Sequence, residues 1–87
     1  MISIRAIIAY DVESSRTEIF KKICQKYLVR IQNSVFEGEI TKAQLMRIKD
    51  SLENEINENE SVRVWVTSKI LKTYIIGSKN EYEDGFL

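Results

Sequence analysis

A single carboxylate, Asp11, ends the apolar run in "IIAYDVESSR", residues 7–16, and the chain contains no histidine. Without an imidazole, the usual proton acceptor near neutral pH is missing. The one cysteine, Cys24, has no such base to activate it and falls among apolar positions of a helical repeat, which points to packing rather than nucleophilic chemistry. No glycine-rich phosphate loop, zinc-ligand spacing or nucleophile elbow is present. Hydrolysis by this chain would therefore need a metal ion to polarise a phosphate or to generate hydroxide. One Asp is a thin ligand set for a hard divalent cation, which prefers several oxygens. A two-fold axis near Asp11 would double it, with phosphate filling the remaining positions. On spacing alone, Asp11 reads first as the opening of the turn before Ser15.

The elements that must place these residues follow from the apolar periodicity. Ile2, Ile4, Ala6, Ile8 and Tyr10 alternate, and Ile7 and Ala9 add apolar character on the other face, so the first strand is expected to be central and covered on both sides over its second half. Ser15-Arg16-Thr17-Glu18 has the form of a capping box, and Ile19, Phe20, Ile23, Cys24, Tyr27 and Leu28 then recur at helical spacing. This predicts a helix over 16–27. Alternation returns in "VRIQNSVFEGEI", where Asn33-Ser34 offers turn chemistry between strands over 28–32 and 34–39. Thr41-Lys42-Ala43-Gln44 is a second capping box, with Ile40 and Leu45 placed as a hydrophobic staple, and Leu45, Ile48, Leu52 and Ile56 form the apolar stripe of a second helix. Val62, Val64 and Val66 alternate with Arg63, Trp65 and Thr67 in a fourth strand, and a β-rich piece over 70–76 precedes a polar tail.

Strand, helix, strand, strand, helix, strand is the split βαβ order of a ferredoxin-like α+β sandwich, here with an extra C-terminal strand. The expected domain is 1–77, followed by a tail over 78–87. Both helices cover one face of the sheet, so the other face needs a second protomer or the last strand over it.

The 87 residues are 44% hydrophobic and 30% charged, with three glycines and no proline, which fits one globular domain and excludes a disordered or fibrous chain. One cysteine precludes an internal disulfide, and no long apolar block marks a leader or membrane span, so the expectation is a cytoplasmic protein without a membrane partner. Thirteen basic and thirteen acidic side chains balance, so no global positive field favours nucleic acid. Their distribution is uneven. Six basic residues stand against three acidic ones in residues 1–30, and three against seven in residues 31–61. Such asymmetry steers a polyanion toward one surface or simply marks two solvated faces.

Three stretches, "IIAYDVES", "VRIQNSVFEGEI" and "ESVRVWV", occur in this order across nearly the whole chain and resemble the CRISPR-associated protein two family. The resemblance implies a ferredoxin-like homodimer in which each final strand pairs with the partner's sheet and the two copies of Asp11 face each other across the axis as a magnesium site. It implies a metal-dependent endonuclease of RNA or double-stranded DNA, working in spacer acquisition beside the integrase, CRISPR-associated protein one. Carried onto this chain, Asp11 holds the ion, Tyr10 beside it positions the site, Arg16 and Arg30 contact phosphate, and Phe36 takes the place of the family aromatic in the nucleic-acid-binding set. Family members also serve as a non-catalytic bridge between integrase dimers, and a toxin-type ribonuclease of the same fold is a more distant alternative. Many members carry adjacent arginines at the two basic positions, whereas Thr17 and Ile31 stand beside Arg16 and Arg30 here.

Overall fold

A computed structural model describes residues 3–77 of the chain. Ile2, expected in the first strand, and the tail over 78–87 lie outside the described residues. The elements are β1 (Ser3–Asp11), a 3-10 turn (Ser14–Arg16), α1 (Thr17–Cys24), β2 (Val29–Gln32), β3 (Val35–Thr41), α2 (Lys42–Glu55) and β4 (Ser61–Thr67). All neighbouring strands are antiparallel, in the order β2-β3-β1-β4. This is the expected ferredoxin-like sandwich.

Alternation along β1 decides where the core sits. Ile4, Ala6, Ile8 and Tyr10 are buried, and they point toward the helix face with their cross-strand partners Ile40, Gly38, Phe36 and Val64. From the helices, Phe20, Cys24, Ile48 and Leu52 complete this core. Gly38 belongs to it for a steric reason: a Cβ there would stand 3.1 Å from Leu28 Cδ2, tighter than ordinary side-chain contact allows. Among the described residues, no helix lies over the opposite face, which carries Arg5, Ile7, Ala9 and Trp65. Its β1 residues are half-buried, Trp65 remains 48% exposed, and Arg5 bridges Glu37 at 3.1 Å on the neighbouring strand. The expected double-sided cover of β1 is thus complete on one face and partial on the other.

Two expectations are corrected. The second capping box forms in full, Thr41 Oγ1 accepting from the Gln44 N–H at 3.1 Å and the Gln44 side chain accepting from the Thr41 N–H at 3.0 Å. The first does not: Arg16 occupies the cap of α1 and no side chain bonds the free N–H groups there. Ser15 sits inside the 3-10 turn, the helix begins two residues later, and Thr17 Oγ1 instead donates to the Ser14 carbonyl. The helix is accordingly shorter than 16–27. Residues 70–76, expected as a strand, belong to none of the four strands among the described residues. Part of this segment lies over the open face, where Leu71 lines an open apolar groove of about 560 Å³ with Ile7, Ala9, Val35 and Trp65, while Ile70 and Ile76 remain almost fully exposed.

Candidate functional site

Asp11 is the last residue of β1, paired with Ser61, the first of β4. Strand alternation sets it on the open face with Ile7 and Ala9, and it is solvent-exposed. Among the described residues its carboxylate takes part in no hydrogen bond or ion pair, so its oxygens are uncommitted. Among the same residues, no three Asp, Glu or Cys side chains converge as a ligand group.

Tyr10, one residue earlier, faces the other way. Its ring is 6% exposed and forms the middle of an aromatic column, 5.5 Å from the Phe20 centroid and 6.1 Å from that of Phe36. Burial is the main cause that pushes the phenol up to about 12, with the nearby Cys24 and Glu18 adding to it and Arg30 opposing. At neutral pH the Tyr10 hydroxyl is therefore a hydrogen-bond donor and not a base. It borders a polar crevice of about 390 Å³ with Thr17, Glu18, Lys21, Arg30, Asn33 and Ser34, at the meeting of α1 with the β2–β3 turn. Arg30 pairs with Phe36 in the sheet and donates from Nη2 to Asn33 at 3.2 Å. The backbone closes the same corner, Tyr10 N–H donating to the Ser34 carbonyl at 3.0 Å.

Phe36 has no exposed surface, so its expected contact with nucleic acid is not met in this arrangement; the ring packs beneath Tyr10. Arg16 is likewise occupied. Its guanidinium grips Glu60 with two prongs, Nε to Oε2 at 2.7 Å and Nη2 to Oε1 at 3.2 Å, donates to the Glu55 carbonyl at the end of α2, and lies 5.5 Å above the Phe20 ring. The hydrogen bond from Arg16 is the main cause holding the Glu60 carboxyl below its ordinary range, with backbone N–H groups of Asn57 and Glu13 acting in the same direction and burial against it. Cys24, wholly enclosed, has its thiol pushed up to about 12 by burial, which matches the packing role expected of it.

The expected site residues thus divide into two groups. Asp11 is on the open face, while Tyr10, Phe36, Arg16 and Arg30 gather around Phe20 or the crevice on the helix face. Sequence reasoning passed over two residues here. Lys21 on the crevice wall had a local signal, one helical turn after Thr17. Glu60 had none, because its partner lies 44 residues away.

Comparison with known proteins now bears on this geometry. The family sequence model of CRISPR associated protein Cas2 matches residues 4–73. A Methanocaldococcus jannaschii protein named CRISPR-associated endoribonuclease Cas2 is 50% identical over 58 residues, 67% of this chain and 51% of that protein, so the chain spans about half the length of this relative. A Thermococcus kodakarensis protein of the same name is 39% identical over 80 residues, 90% of this chain and 94% of its own. A crystal structure of a Cas2 protein superimposes with a TM-score of 0.82 at 34% identity, covering 93% of this chain and 95% of that one. Streptococcus pyogenes Cas2 does so with a TM-score of 0.69 at 29% identity, over 84% and 99%. By sequence and by fold, the chain belongs to the CRISPR associated protein Cas2 family.

Proposed function

We propose that this protein is a magnesium-dependent endonuclease of CRISPR spacer acquisition that cleaves phosphodiester bonds in RNA, as a homodimer holding one ion between two copies of Asp11. The observation that carries the reading is the exposed, uncommitted Asp11 carboxylate at the end of the central strand, in a family whose curated relatives are named endoribonucleases. The donor set fits a hard cation in kind, since carboxylate oxygen is what magnesium takes, and falls short in number within one chain. A two-fold partner supplies the second carboxylate without any new residue. When bound, the ion would lower the pKa of a coordinated water and offset charge on the phosphate.

The remaining residues lie on the other face of the sheet from it. Tyr10, protonated at working pH, offers a donor at the crevice, and Arg30 and Lys21 bring positive charge to the same wall for a phosphate of the strand being cut. The half-covered open face and the apolar residues of 70–76 supply surface for the second protomer, and in the adaptation complex for the integrase, CRISPR-associated protein one.

A paired assay tests the proposal. Wild type with magnesium should cleave RNA, chelation should stop it, and Asp11→Asn should lower the rate by at least a hundredfold while the dimer persists. Cleavage unaffected by the substitution would remove Asp11 from the chemistry, and cleavage of double-stranded DNA alone would redirect the substrate.

A further inference from the structure

The Glu60 carboxylate joins two separate pieces of chain. It receives both prongs of Arg16 from the turn after β1 and the Asn57 N–H at 3.0 Å from the loop after α2. Arg16 extends the junction to the last carbonyl of α2 at Glu55, and its own N–H donates to the Glu13 carbonyl at 2.8 Å. The Glu60 side chain is only 4% exposed and that of Arg16 20%, so neither is a loosely solvated surface charge. The next residue in the chain, Ser61, is the partner of Asp11 at the end of the β1–β4 ladder. The junction therefore closes around the two strand ends from which Asp11 projects.

We infer that Arg16 and Glu60 are positioning residues that clamp the turn over 12–16 and so fix where the Asp11 carboxylate stands; Arg16 serves this clamp in place of a contact to phosphate. A two-pronged guanidinium-carboxylate pair suits the task, because its planar fork restrains direction as well as distance. An arginine reserved for a phosphate would instead present its donors outward. The inference rests on the reading of Asp11 as the metal ligand for what the clamp achieves, but not for whether the clamp exists.

The two roles of Arg16 predict opposite results for Glu60→Gln, which keeps shape and removes charge. Under the clamp, amide hydrogen exchange over 12–16 quickens about tenfold or more in the full-length protein while that of the β1 and α2 core stays unchanged. The magnesium concentration for half-maximal RNA cleavage rises several-fold, and RNA affinity and its salt dependence stay as in wild type. Arg16→Lys, which keeps the charge and loses the fork, should behave in the same way. If Arg16 is a phosphate contact held back by Glu60, Glu60→Gln frees it: RNA binds more tightly, the salt slope steepens by about one charge, and exchange over 12–16 does not change. That outcome overturns the inference. Should Asp11→Asn leave cleavage intact, the nuclease reading fails by itself, and the exchange comparison still decides the clamp.

Discussion

Tyr10 and Asp11 are neighbours in sequence with opposite duties, and the difference comes from which face of one strand each side chain takes. Tyr10 carries the aromatic column between Phe20 and Phe36. Replacing it by Ala should cost about 3 kcal/mol, since a buried ring is removed and the cavity cannot close. Tyr10→Phe keeps the column and should stay within about 1 kcal/mol, so urea unfolding of the two variants separates the ring from the hydroxyl. If the hydroxyl also serves the crevice, Tyr10→Phe lowers cleavage with little loss of stability. The column was legible as apolar periodicity, but the depth of Phe36 was not. An aromatic at an alternating position reads the same whether it ends at a surface or beneath a helix, and here α1 brings Phe20 over the sheet and encloses it.

Between the elements, caps show where local reading succeeds. The Thr41–Gln44 box depends on side chains bonding backbone three residues away, so four letters suffice to find it. Thr41→Ala should cost about 1 kcal/mol, read from the urea midpoint. The segment over 15–18 offers the same four-letter form without the structure, because Arg16 is drawn to Glu60 and the turn tightens into a 3-10 conformation before the helix starts. A contact spanning 44 residues leaves no periodic trace. Its pH dependence gives a test. Glu60 has a folded pKa below the ordinary 4.5, so its contribution to stability is present above that value and lost as pH falls through the lower, folded one. The gap in urea midpoint between wild type and Glu60→Gln should therefore close on acidification below about 4.5; a gap that stays constant to pH 2 would mean that the charge of Glu60 contributes nothing. Glu55 and Glu13 are the charged groups around the pair, and Arg16 keeps its charge throughout.

For the molecule as a whole, the helix face is a finished core and the sheet's other face is not. Ile7 lies near the middle of that face, between Glu37 and Trp65 on the adjoining strands. Ile7→Lys should convert the proposed dimer to a monomer in light scattering while the far-ultraviolet circular dichroism stays native, since the helix-side core is untouched. A dimer unaffected by this change would put the interface elsewhere. The sequence announced β character over 70–76, but a strand is completed by a neighbour, and the segment joins none of the four strands among the described residues. The order of strands and helices along the chain, by contrast, could be read in advance, because each apolar repeat was long enough to settle its own type. One more consequence lies in the parity of β1. A slip of a single residue against its neighbours would drive an acid among aromatic rings and strand a phenol in water. Misassembled sheets are thus rejected at birth, and the carboxylate offered to the outside world also proofreads how the interior is put together.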